Sequence, residues 1–188
     1  MSVRKTIRNR RSIYEFKMDK IPKATITRLI ETAVWAPNHK LTEPWRFIVI
    51  TGKAKEALAA IYAKIQREKA KSDRPDLLVK ITEKGYAKIC SKPLILGIIC
   101  KKDDDITRSR EDYAATCCAI QNIALTAWEE GIGIQWSTGG LLRDSETLKL
   151  LKIDPKEEEL IGLLYCGYPA SVPAQKRTPG VDRTEWLV

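Results

Sequence analysis

Near the start of the chain, three arginines and a serine fall within five residues, in the segment Arg8-Asn9-Arg10-Arg11-Ser12. The guanidinium group of arginine presents several N–H donors in a fixed fork, and a serine hydroxyl adds another. Such donors bind a phosphate through several charge-assisted hydrogen bonds. The segment therefore predicts an anion site at the end of a first helical stretch. A helix end that is simply solvated is the alternative.

A second candidate segment, Trp136-Ser137-Thr138-Gly139-Gly140, follows a predicted strand. Because glycine has no side chain, a glycine pair lets backbone N–H groups approach a planar or anionic ligand closely. A plain glycine-rich turn is the alternative. The pattern G-x-G-x-x-G does not occur between a strand and a helix, so a Rossmann dinucleotide site is not predicted.

The chain contains one histidine, His39, in a loop beside Asn38 and bounded by Pro37 and Pro44. The neighbouring sequence offers no serine or cysteine nucleophile with a nearby acid, so nucleophilic catalysis through this histidine is not predicted. One histidine with scattered carboxylates does not make a metal site. Taken alone, His39 is interpreted as structural or exposed.

Further cations lie near the other end of the chain, where Lys176, Arg177 and Arg183 occur in a segment punctuated by Pro173 and Pro179. Taken alone, this segment is a basic tail on the surface. The net charge is +9, from 33 lysines and arginines against 24 carboxylates, and the cations are scattered along the chain. This distribution favours small anions over nucleic acid as partners.

The chain has 188 residues, of which 44% are hydrophobic and 30% charged, as in an ordinary globular protein. This length predicts a single domain over residues 1–188. The longest apolar run, residues 93–100, is too short to span a membrane, and no leader pattern opens the sequence, so a cytoplasmic location is expected. The five cysteines form no C-x-x-C pair and are interpreted as reduced and mostly buried.

Hydrophobic spacing predicts the elements that must position these residues. The predicted helices cover 26–34, 58–65 and 112–128, and the predicted strands are 45–51, 94–100, 132–136 and 160–166. The helix at 112–128 is apolar on nearly every side, which predicts burial on most faces, with part of the cover available from a second subunit. The polar stretch 68–76 is interpreted as a connector, with a lid as the alternative.

Five segments, in this order along most of the chain, resemble the FMN-dependent nitroreductase family, and especially its compact members. They are "RRSIYEF" at 10–16, "APNHKLTEPWRFIVI" at 36–50, "AIQNIALTAWEEGIGIQW" at 119–136, "LLYCGYPA" at 163–170 and "KRTPG" at 176–180. No single segment is specific, and the resemblance depends on all five occurring in register.

The resemblance implies that the anion is the phosphate of FMN. Its implied ligands are Arg10, Arg11 and Ser12, with Arg177 and Lys176 approaching from the C-terminal segment. The loop before Pro44-Trp45 is implied to reach the flavin from the partner subunit, through Trp35, Pro37, Asn38 and His39. The turn implied to cover the isoalloxazine ring, with a backbone N–H near flavin N5, consists of Trp136, Ser137, Thr138, Gly139 and Gly140.

Two positions depart from the family pattern. Tyr14, one of the implied cofactor-binding residues, stands where an arginine or lysine is usual, and Glu43 stands where a glutamine commonly precedes Pro-Trp. We therefore expect weaker FMN affinity and altered flavin electronics. Lys17 or Lys176 could supply the missing positive charge.

The resemblance also implies an α+β fold, with a central mixed, mainly antiparallel sheet flanked by helices, in an intertwined homodimer with two shared FMN sites. The implied reaction is ping-pong. NADPH or NADH gives hydride to flavin N5, and a small electron-poor acceptor such as a nitroaromatic or quinone then takes the electrons, with no side chain needed as acid or base. The alternatives are dehalogenation or flavin fragmentation within the same family, and a non-catalytic FMN-binding protein.

Overall fold

The computed structural model describes residues 2–187 and contains a four-stranded sheet with helices packed on both faces. The strands are β1 (Trp45–Ile50), β2 (Leu94–Lys101), β3 (Gly133–Ser137) and β4 (Glu158–Gly167). The α-helices are α1 (Val3–Asn9), α2 (Lys23–Ala33), α3 (Gly52–Lys69), α4 (Pro75–Cys90), α5 (Ile106–Glu129) and α6 (Ser145–Leu150).

The strand order is β1-β2-β4-β3, and each neighbouring pair runs antiparallel. Among the described residues, the only parallel pairing is an isolated bridge between Ser12 and Ile134. The α+β class is therefore confirmed. A mixed sheet was expected, and within one described chain this bridge, on the outer side of β3, is the only parallel part of it.

Strand β2 is central and is buried from Leu94 to Cys100. Because successive side chains point to opposite faces of a sheet, β2 contributes to two separate cores. Leu96 and Ile98 face the core formed with α2 and α5. Ile95 and Ile99 face the second core, formed with α3, α6 and the end of α4.

Helix α5 is longer than predicted, because Asp105 begins it by accepting hydrogen bonds from the backbone N–H groups of Thr107 and Arg108. One face of α5 is buried on the sheet and on α2. The opposite face includes Tyr113, Cys118 and other exposed residues, so the prediction of burial on most faces is wrong for one protomer. No other helix of the described chain covers the exposed stripe.

Helices α3 and α4 form an antiparallel hairpin on the other face of the sheet. Gly85 of α4 permits close packing, since a Cβ there would lie 3.0 Å from the Cα atom of Ala63 in α3. Helix α4 and the short α6 were not predicted. The polar connector is consequently shorter than expected, because α3 extends to Lys69 and α4 begins at Pro75.

The four predicted strands and helix α2 are confirmed to within three residues, whereas α3 begins six residues before the predicted range 58–65 and ends four residues after it. All five cysteines are free thiols, but only Cys100 and Cys166 are buried, so the prediction that most are buried is wrong. Within residues 2–187, none of the helices combines the length and apolar character needed to cross a membrane.

Candidate functional site

The arginine segment is held against the outer edge of β3. Helix α1 ends at Asn9, and the chain then extends so that the backbone N–H of Ile13 donates to the carbonyl of Ile134 over 3.1 Å. Ile13 is fully buried. It packs directly on Gly133, where a Cβ would lie 2.3 Å from the Ile13 Cγ1 atom. Only glycine leaves room for this contact, which fixes the position of Arg11 and Ser12.

The structure brings Arg10 close to Arg177 from the far end of the chain. Burial lowers the pKa of Arg10, and repulsion from Arg177 and then from Arg11 lowers it further. None of the ion pairs found among the described residues involves these three arginines. Arg10 and Arg11 are half-buried and Arg177 is exposed. These three like charges form the arginine cluster, which suits a multiply charged anion.

The side chain of Arg11 also serves α1. Its Nη1 atom donates to the carbonyls of Arg8 and Arg10 over 2.7 and 2.9 Å, which satisfies carbonyl groups at the helix end. Part of this guanidinium is therefore occupied in capping the helix end. Ser12 is exposed, and Lys176 is exposed beside Arg177.

The turn after β3 lies at the other end of the same edge strand. Trp136 donates from Nε1 to the carbonyl of Ile161 over 3.3 Å, and its ring covers Gly162, where a Cβ would lie 2.3 Å from Nε1. Thr138, Gly139 and Gly140 are exposed. At about 3.3 Å per residue, Ile134 and Ser137 are about 10 Å apart, so the arginine segment and the turn border one continuous edge.

The loop at residues 35–43 is held on the side of α5. Thr42 donates from its hydroxyl to the buried carboxylate of Asp112 over 2.5 Å, and the Asn38 carboxamide accepts from the backbone N–H of Glu43 over 3.0 Å. Lys40, Leu41 and Glu43 have φ angles of 53°, 53° and 43°. Left-handed backbone costs about 1–2 kcal/mol for each non-glycine residue, so these contacts hold the loop in a strained form.

The loop also presents exposed groups. Trp35 is 83% exposed and Leu41 is 81% exposed, and Pro37 and His39 are exposed as well. Large apolar side chains with this exposure in a fixed loop are typical of a surface that another molecule covers. The arginine cluster and the β3 turn are thus joined within one protomer by β3, and the loop is fixed on α5.

Two lysines at the site were not anticipated. Lys69, at the end of α3, approaches the turn, and a Cβ on Gly140 would lie 3.2 Å from the Lys69 Nζ atom. Lys92 is buried and donates from Nζ to the backbone carbonyl of Tyr14 over 3.1 Å, whereas the Tyr14 side chain is 60% exposed. Lysine is almost always an exposed residue, so no sequence pattern marked either one.

Comparison with known proteins identifies the class. The model of the nitroreductase family matches residues 7–168. YfhC of Bacillus subtilis, whose name assigns it provisionally to the NAD(P)H nitroreductases, is 37% identical over 185 residues, covering 96% of this chain and 92% of YfhC. The chain therefore belongs to the nitroreductase family, a family of oxidoreductases.

Solved structures share the fold. A nitroreductase-like protein of Bacillus cereus superposes with a TM-score of 0.85 at 29% identity, covering all of this chain and 96% of that one. NfnB of Sphigopyxis sp. strain HMH, described as an FMN- and NADPH-dependent nitroreductase, superposes with a TM-score of 0.79 at 16% identity and full coverage of both chains. At that identity the second likeness concerns the fold alone.

Proposed function

We propose that the protein is a cytoplasmic FMN-dependent oxidoreductase that takes reducing equivalents from NADPH or NADH and reduces a small electron-poor acceptor such as a nitroaromatic or quinone. The arginine cluster is the observation that carries the proposal. Arg10, in the segment beside the edge of β3, is partly buried and is repelled by Arg177 and Arg11, and a phosphate dianion would neutralise that repulsion. Five free thiols agree with a reducing compartment.

The residues present fit FMN. Arg10 and Arg177 would bind the phosphate, with Ser12 and the remaining donors of Arg11 alongside, and Lys176 at the rim. The edge of β3 would carry the cofactor towards the turn. There the backbone N–H groups of residues 138–140 would contact the flavin ring, beside Trp136 and Ser137.

The chemistry that bound FMN supplies in this proposal is hydride acceptance at N5 and release of the electrons to the acceptor, in ping-pong order. The protein's own part is to bind, orient and exclude water. Tyr14 leaves the rim of the site without the usual cation, and Lys69 adds a positive charge beside Gly140. The net charge of +9 favours the approach of a nucleotide donor.

We propose further that two copies of the chain form a homodimer, and that the loop with Trp35, Pro37, Asn38 and His39 completes the site of the partner. The exposed stripe of α5 supports this, as do the apolar side chains near the C-terminus, where Trp186 is 79% exposed and Leu187 92% exposed. Sedimentation of the FMN-loaded protein should give a dimer. A stable monomer that retains FMN would contradict the shared site.

The function is tested by the visible spectrum of the protein mixed with FMN, filtered to remove free cofactor, and then given NADPH or NADH without oxygen. We expect retained flavin that loses its yellow colour. Retained flavin that stays oxidised with both donors would contradict a nicotinamide-driven enzyme and would favour a binding role. Absence of retained flavin would contradict the cofactor assignment itself.

A further inference from the structure

Lys92 occupies an unusual place for a lysine, directly beneath the arginine segment. It follows α4, is only 6% exposed, and donates from Nζ to the carbonyl of Tyr14 over 3.1 Å. Its ammonium group lies 5.1 Å from the centre of the Phe16 ring and 5.6 Å from that of Tyr165. A carbonyl and two ring faces thus partner this buried cation.

Through these partners Lys92 touches both parts of the candidate site. Tyr14 lies two residues after Ser12, in the segment that carries Arg10 and Arg11. Tyr165, in β4, is buried and lies opposite Gln135 of β3, two residues before Ser137, the last residue of that strand before the turn. Lys92 therefore lies inside the fold between the Tyr14 backbone, at the phosphate end of the candidate site, and β4, the strand paired with β3.

The backbone of Lys92 and the ring of its neighbour Phe16 are held in place by further contacts. Lys55 of α3 donates from its Nζ atom to the carbonyl of Lys92 over 3.0 Å. The Phe16 side chain packs on Gly167, where a Cβ would lie 2.8 Å from the Phe16 Cδ1 atom. These contacts leave the ammonium little freedom to move away from Tyr14.

We propose that Lys92 is a positioning residue for the cofactor, a buried cation that holds residues 12–14 in the phosphate-binding conformation. Tyr14 occupies the position where the family usually has a surface cation. Lys92 contacts the backbone of that residue from the interior of the fold, and so it supplies a positive charge to this part of the site. The proposal rests on the proposed FMN site, and it assigns Lys92 no contact with the reacting atoms.

The cost of burying this cation gives the proposal a distinctive signature. A buried ammonium without a carboxylate partner destabilises a fold relative to an apolar side chain of similar shape. The one acceptor that loses its donor, the carbonyl of Tyr14, is only partly buried. A residue kept only for stability would lower both stability and affinity when removed, whereas a positioning cation lowers affinity alone.

The test is the Lys92→Met variant, which keeps the length of the side chain and removes its charge. We expect the dissociation constant for FMN at pH 7 to rise about tenfold, the equivalent of one charge-assisted hydrogen bond, while the Tm of the FMN-free protein stays equal or rises. The matched control is Lys88→Met. Lys88 is an exposed lysine that donates to the Tyr62 hydroxyl over 3.0 Å, and its loss should leave FMN affinity at pH 7 unchanged.

A pH profile adds a readout that a purely structural role would not move. The groups facing Lys92 are Lys88, Glu15, Tyr165 and, at its carbonyl, Lys55. Burial and then Lys88 lower the pKa of Lys92, against a smaller opposing effect of Glu15. Raising the pH therefore removes its proton before the ordinary lysine value of 10.5 is reached, and the affinities of wild type and Lys92→Met should converge. In Lys88→Met this convergence should shift to higher pH.

Equal FMN affinity in wild type and Lys92→Met would overturn the inference and leave the proposed function intact. A Tm that falls together with the affinity, with a ratio of affinities that is constant with pH, would show that Lys92 is only structural. Wild-type protein that binds no FMN would instead overturn the proposed function.

Discussion

The Arg10→Ala variant will bind FMN about 10- to 100-fold more weakly than wild type and will be at least as stable without it. Hydrogen bonds from a charged donor contribute roughly 1.5–3 kcal/mol, and about 1.4 kcal/mol corresponds to tenfold in affinity. The FMN-free protein gains from the change, because Arg10 is partly buried and repelled by Arg177 and Arg11. Fluorescence titration of FMN and thermal unfolding measure the two effects.

Arg4 provides the matched control. It is an exposed arginine on α1, so Arg4→Ala changes the net charge equally. Its effect on FMN affinity should be less than twofold. Equal losses in the two variants would mean that FMN responds to the overall charge of the protein and that Arg10 is no phosphate ligand.

The second large effect is expected at Gly133. In Gly133→Ala the new Cβ would lie 2.3 Å from Cγ1 and 2.7 Å from Cβ of Ile13. Ile13 is fully buried, so its side chain has little room to move away. Overpacking of this kind costs about 1–3 kcal/mol. We expect a lower Tm, by roughly 3–10 °C, and weaker FMN binding because Ile13 carries Arg11 and Ser12 with it.

Gly180→Ala is the control for this substitution. A Cβ at Gly180 would meet nothing within 4 Å, so stability should change by no more than about 0.5 kcal/mol. If Gly133→Ala unfolded at the wild-type temperature, the Ile13 contact would not be what fixes the arginine segment.

The elements that the sequence predicts well are those whose apolar residues form the central sheet or pack on it. Strand β2 is a continuous apolar run, and α2 repeats its apolar residues at helical spacing, because each packs on the same interior. Helix α4 was not predicted because most of its surface is exposed and Gly85 interrupts its helical sequence pattern. In the structure the helix is continuous, and the glycine allows close packing with Ala63. Strand order depends on long-range pairing, which local patterns do not encode.

Some residues of the candidate site could be predicted from the sequence, and others could not. Arginines beside a serine indicated an anion from residue chemistry alone, but the approach of Arg177 to Arg10 was implied only by the family resemblance. Nothing in the local sequence distinguishes Lys92 from the other lysines, since its burial results from the packing of Phe16 and Tyr165 around it. The roles of the predicted cofactor residues stay predictions.

The approach of Arg177 to Arg10 couples anion binding to both sides of the sheet. Arg10 precedes all four strands in the chain and Arg177 follows them, so the arginine cluster is complete only when the segments on both sides of the sheet are in place. An anion that binds both arginines therefore recognises finished molecules and stabilises them by mass action. A chain cut after β4 lacks Arg177 and should gain less stability from the same anion.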